Sequence, residues 1–291
     1  MYKTISENLT VGDSVALGSY PQSEVKDEEV LRAAKKPFGK FCDRMKYDNC
    51  WGSGEVCDFA YNGNRYRSVI TKRFKEKIFY KISGYRKGRT YVFAYEPILW
   101  RVLLIRDGQA LLASEKVLDA QPFQHPEKQR TIDGITVYPN NYAHSGVRKW
   151  LNGTFFNTAF SDEEKARIVL TTVKNSAETT KKPINEYACD DTADKVFLLS
   201  FQEAAALFAD NKSRWKKASD YVKAQGCYAY GTHDAKYSNA CWWLRSPDHK
   251  YNNIVRCVGD GGGIGDGGFS TSHEPSSTAD GVAPAIIVKI N

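Results

Sequence analysis

Seven cysteines, five histidines and one glycine-rich run are the residues of this chain that could do chemistry. The cysteines stand at 42, 50, 57, 189, 227, 241 and 257, an odd set without a Cys-x-x-Cys pair. Cys42, Cys50 and Cys57 are separated by seven and six residues, poor spacing for a zinc site. The expectation is reduced, mostly buried thiols and no metal, with one local disulfide within 42–57 as the alternative for an exported protein. The histidines (125, 144, 233, 249, 273) fall in loops, none at the i, i+4 spacing of a zinc hydrolase helix. His249 and His273 could meet across one surface, but solvated rings are the plainer reading. Residues 259–268 lack the Gly-Lys-Ser/Thr ending of a phosphate-binding loop, and no G-x-G-x-x-G joins a strand to a helix. Cys241 and Cys257 flank a Trp-Trp-Leu run, where an oxidase could use a thiol pair, yet both read as core thiols. A calcium site needs several convergent oxygen ligands, and Glu274-Pro275-Ser276 is only a weak signal for one. No cofactor is expected, and the balance lies against an enzyme.

Charge is informative because it is local. The 291 residues carry +7 overall. Between 65 and 89, ten basic residues face one acid, Glu76, so that stretch alone carries +9 and the remainder sums to −2. Tyr66, Phe74, Phe79, Tyr80, Tyr85 and Tyr91 interleave with it or adjoin it, the mixture a phosphate-contacting, base-stacking surface needs. Lys72, Arg73, Lys75 and Lys77 would be its centre. A twisted ribbon with solvated cations on one face and half-buried rings on the other is the favoured reading.

The elements that must position these residues are legible in outline. Ser14-Val15-Ala16-Leu17-Gly18-Ser19-Tyr20-Pro21 reads as a strand stopped by proline. A short helix is expected near 28–34, and Asn62-Gly63 marks a turn. Residues 98–105 and 110–114 form a hairpin about Asp107-Gly108, which supplies the positive φ angles of a tight turn. Val147, Trp150, Leu151 and Phe155 put one apolar stripe on a helix over 145–158, capped by Ser145. Ser161 with Glu164, and Ser200 with Glu203, are capping boxes. A strand over 195–199 precedes the second box. A helix over 214–225 should end at Gly226. Trp242, Trp243 and Leu244 read as a strand buried on both faces, and a final strand covers 285–290.

Six segments in order then resemble a known family. They are Gly18-Ser19-Tyr20-Pro21-Gln22, Pro97-Ile98-Leu99-Trp100-Arg101-Val102-Leu103, Val147-Arg148-Lys149-Trp150-Leu151-Asn152, Ala159-Phe160-Ser161-Asp162-Glu163-Glu164-Lys165, Asp194-Lys195-Val196-Phe197-Leu198-Leu199-Ser200 and Trp242-Trp243-Leu244-Arg245-Ser246-Pro247. Together they resemble a bacterial domain family of unknown function marked by a WWLRSP motif. That family is similar to the C-type-lectin fold of formylglycine-generating enzymes and of the variable proteins of diversity-generating retroelements, bacterial or phage-borne. One departure is Ala283-Pro284-Ala285, where relatives carry Arg-Pro-Ala.

The resemblance implies an α+β, C-type-lectin-like single domain over 1–291, with mixed or antiparallel sheets, two to four helices and a long irregular C-terminal segment. Residues 22–95 would be a basic, Cys-containing insertion or N-terminal extension, and 241–291 the core strands plus a display segment. Trp242, Trp243, Arg245 and Pro247 would be structural, Arg245 needing a carboxylate or several carbonyls if buried. The display segment would carry the ligand-binding residues His249, Tyr251, Asn252, Asn253, Arg256, Asp260, Asp266, Ser270, Ser272 and His273, types that adaptable recognition surfaces use. The function expected is non-catalytic recognition of a protein or other macromolecule. Nucleic-acid binding by 65–89 and a formylglycine-generating-like oxidase are the alternatives. With no apolar stretch long enough to span a membrane and no signal peptide, the cytoplasm is expected, or surface or virion display by another route.

Overall fold

The computed structural model describes residues 2–35, 45–48, 52–74, 84–86, 88–227, 229, 239–265, 272–277 and 280–290. They form a mixed α+β fold with mostly antiparallel sheets. Strands β1 (Ser14–Glu24), β2 (Met45–Asp48), β3 (Gly52–Tyr61), β4 (Asn64–Phe74), β5 (Thr90–Arg106) and β6 (Gln109–Ser114) make most of an eight-stranded sheet. Val196–Phe197 and the C-terminal Ala285–Lys289 complete it beyond β6. No helix among the described residues is long and apolar enough to cross a membrane.

β5 is the strand on which the sheet turns. One edge pairs with β1 from Phe93 to Arg101, and the other pairs first with β4 and then with β6. The 22–95 stretch therefore extends the same sheet. Both two-residue turns form as expected, with φ of 47° and 76° at Asn62 and Gly63, and 51° and 69° at Asp107 and Gly108. β1 does not stop at Pro21 but continues to Glu24, Pro21 facing Tyr95. Proline lacks a ladder donor, and β1 tolerates it because its pairing partner in the sheet is β5 alone.

Five helical stretches are described where two to four were expected. They are Glu28–Lys35, residues 146–159 with a π turn over Leu151–Phe155, Asp162–Arg167, Phe201–Ala206 and Asp220–Gln225. Both capping boxes form, Ser161 with Glu164 and Ser200 with Glu203. The helix expected over 214–225 starts only at Asp220, because Ser219 caps it and Lys217–Ala218 first pairs with Lys116–Val117. Gly226 ends it at φ 110°.

The quoted segments turn out to be where buried polar groups are satisfied. A Cβ on Gly18, at φ +72°, would come within 2.7 Å of the Phe160 ring, and its N–H donates to Glu164 of the first capping box. Tyr20 donates to buried Asp119 at 2.5 Å, and the Gln22 amide to the carbonyls of Glu96 and Pro97. Asn152 clamps residues 194–196 from both sides of its amide, while Arg148 pairs with Asp194 at 2.7 Å. Trp150 is only half-buried, so it lies at the margin of the core expected for it. Cys57, buried on β3, is disulfide-bonded, which corrects the expectation of seven reduced thiols. Cys189, Cys227, Cys241 and Cys257 remain thiols.

Candidate functional site

Trp242–Pro247 is buried at every position and anchors the polar stretch that comes after it. The two indoles donate to the carbonyls of Arg214 and Gln121. Arg245 finds what a buried guanidinium requires: a two-pronged pair with Glu203 at 2.6 and 2.8 Å, and the carbonyls of Leu198 and Lys174. Although burial works against it, Arg245 holds the Glu203 carboxyl below its ordinary range. The Ser246 hydroxyl accepts from the first N–H of the Phe201–Ala206 helix.

The chain then makes a tight excursion over 248–254 and returns as the strand Val255–Val258. Asp248 N–H reaches Ile254 carbonyl at 3.0 Å, and the Asn140 side chain bridges the carbonyls of Tyr251 and Ile254. Tyr251 stands 59% exposed at the tip, with Asn252 and Asn253 exposed beside it. Asn253 reaches Glu127 at 3.3 Å. A sequence rich in polar residues thus becomes a pinned turn.

The expected ligand-binding residues differ in exposure. Tyr251, Asn252 and Asn253 are displayed, while His249, Asp260, Ser272 and His273 are half-buried. Arg256 is corrected outright. It is 4% exposed, pairs with Asp248 at 3.2 Å, and donates to the carbonyls of Ile264 and Gly265. It holds the display segment in place, because a buried guanidinium must spend its donors on fixed acceptors. Asp266 and Ser270 lie outside the described residues.

Strand pairing assembles one constellation that spacing in sequence did not foretell. Val255–Val258 pairs antiparallel with Ser272–His273, so His273 lies diagonally from Cys257. Its Nδ1 is 3.5 Å from Cys257 Sγ and 2.8 Å from the fully buried carboxylate of Asp280. Cys227 and Cys241 adjoin the same carboxylate, and burial followed by the Asp280 charge pushes all three thiols up, away from reactive thiolates. The only signal in the sequence was alternation: 255 and 257 share a strand face. A second unforeseen group is Lys216, buried under Phe208 and Trp242, donating to the Ser114 carbonyl and pushed down to about 7 by burial and then by Arg101.

In the basic ribbon, two described arginines are engaged. Arg67 is 3% exposed, gripping Asp58 and the hydroxyls of Tyr221 and Tyr95, and Arg65 pairs with Asp58. The side chains of Lys72 and Arg73, and the residues Lys75 and Lys77, lie outside the described part. A cleft of about 260 Å³ lined by Gln22, Glu96, Glu115 and Lys116 has Gln22 and Lys116 bonded to each other.

No curated protein matches this chain, and neither does any solved structure. A family model does, over residues 107–290. That span takes in the Trp242–Pro247 strand, both capping boxes and the Cys257–His273–Asp280 cluster, and leaves out Gly18 to Gln22 and Pro97 to Leu103. Matched over more than half its length, the chain belongs to the family of the domain of unknown function DUF6273.

Proposed function

We propose that this protein is a non-catalytic recognition module on a C-type-lectin-like scaffold, binding a protein or other macromolecule through the turn at 249–253, with the half-buried Asp260 and Ser272 as further contacts. The observation that carries the reading is Tyr251, 59% exposed between polar neighbours on a turn clamped to a buried strand. A rigid, exposed aromatic flanked by adaptable amides loses little conformational freedom on binding and is the usual anchor of a recognition surface. The scaffold half of the reading draws support from the C-terminal strand Ala285–Lys289 returning beside β6, with an irregular segment slung between buried strands. Membership among the variable proteins of diversity-generating retroelements is the form of this proposal that fits the Tyr, Asn, Asp and Ser content of 248–273.

The alternatives have less behind them. Arg65 and Arg67 of the basic ribbon are engaged with Asp58, which removes two cations from a nucleic-acid surface. An oxidase of the formylglycine-generating type needs a reactive thiol, and Cys241 and Cys257 are pushed the other way. Sequencing many copies of this gene from one population tests the proposal. Substitutions clustered in 248–273 over a fixed frame are expected. Substitutions spread evenly along the chain would overturn the diversified form of it. Retention of a captured ligand by Tyr251→Ala would overturn the face itself.

A further inference from the structure

We infer that Cys257, His273 and Asp280 form a binding site for a divalent transition cation of the zinc class. The donor atoms of all three, one sulfur, one ring nitrogen and one carboxylate oxygen, lie within 4.8 Å of one another. A tetrahedral zinc ion with ordinary bond lengths holds a sulfur and a nitrogen ligand about 3.5 Å apart. Cys257 Sγ and His273 Nδ1 are 3.5 Å apart.

Two features separate this arrangement from a catalytic relay. In a cysteine–histidine–aspartate relay the thiol and the carboxylate address opposite ring nitrogens. Here both lie on the Nδ1 side of the ring, so that the sulfur, the ring nitrogen and the carboxylate face one another. Asp280 is also fully buried, and among the described residues no Lys or Arg pairs with it. One carboxylate oxygen lies 2.8 Å from His273 Nδ1, and the other is equally near the ring without hydrogen-bonding geometry. A buried carboxylate is costly without a cation, and a coordinated metal supplies one. Mixed sulfur, nitrogen and oxygen donors select a borderline cation over magnesium or calcium. His273 is 27% exposed, so the cluster has an edge open to solvent for entry and for a water as fourth ligand. This site stands independently of the recognition turn.

Full-length protein stripped with chelator and dialysed is titrated with Zn²⁺ and, separately, with Co²⁺. One equivalent of each should bind, and the cobalt form should show the sulfur-to-metal charge-transfer absorption of a thiolate ligand. His273→Ala and Cys257→Ala should each weaken binding by at least about tenfold. The Cys257→Ala variant should also lose the charge-transfer band, and Cys189→Ala should leave both readouts unchanged. Circular dichroism checks that each variant is folded, and His273→Gln serves if the alanine variant is not. Tyr251→Ala should bind the metal normally, so loss of the recognition reading would leave this one standing. Failure of folded wild type to take up one equivalent, or uptake indifferent to both His273→Ala and Cys257→Ala, would overturn the site.

Discussion

Residues 242–247 and 248–254 are neighbours in sequence and opposites in construction. The first six are all buried, and their polar atoms are committed: two indoles to carbonyls, Arg245 to Glu203, Ser246 to a helix N–H. The next seven are anchored at their base by the Asp248 side chain and otherwise held mainly through the backbone of Asp248, Tyr251 and Ile254, which leaves Tyr251 and Asn252 at the tip facing outward. A stretch whose side chains hold the fold together constrains its own residue types. One held mostly by its main chain leaves the side chains at its tip at liberty to serve something else. The recognisable motif and the candidate binding surface are therefore different residues, a few ångströms of chain apart.

The contrast can be broken most forcefully at the buried strand. Trp243→Ala should cost about 3–5 kcal/mol, and Arg245→Ala a similar amount, since it strands Glu203 in a partly buried site. Chemical denaturation measures both; a loss under about 1 kcal/mol at either would erase the distinction. Beneath the same strand, Lys216 supplies a pH signature. Unfolded, it keeps its proton to about pH 10.4, whereas in the fold it gives it up near 7. Between those values the unfolded chain binds the extra proton, so stability should rise with pH. Lys216→Met should flatten that rise and stabilise the protein most below pH 7. A parallel profile in wild type and variant would show that Lys216 is not the buried base described. Loss of either cap, Ser161→Ala or Ser200→Ala, should cost about 1 kcal/mol in thermal melts. At the other extreme, Tyr251→Ala and Asn252→Ala should stay within about ±0.5 kcal/mol. If they unfold the protein as Trp243→Ala does, the turn belongs to the core.

Much of the frame was legible because it rests on local signals. Asp107-Gly108 and Asn62-Gly63 announce their turns through the φ values only such pairs adopt readily, and Ser161 and Ser200 announce helix starts through their partners three residues on. What stayed hidden depends on who sits across the sheet. Pro21 looked like an end because nothing in β1 says that it lies on an edge. Arg256 looked displayed because the Asp248 that buries it comes from the far side of a turn. His273 and Cys257, sixteen residues apart, meet through an antiparallel register, and Asp280 arrives from the stretch before the last strand. Side chains whose partners are distant in sequence carry no periodicity of their own, so the cluster with the most chemistry was the least readable.

β5 gives the family boundary a physical meaning. The matched span begins at Asp107, inside the turn that joins β5 to β6, so the line falls between two strands zipped together along Trp100 to Arg106. Asp119 and Tyr221, both within the span, each take one hydrogen bond from outside it, from Tyr20 and Arg67 respectively. Cut at that line, the C-terminal piece would present β6 as a raw edge, an invitation to pair with other chains, and the buried Asp119 behind it would lose its Tyr20 donor. The span that the family model matches and the span that the strand pairing ties together are, in this protein, not the same object.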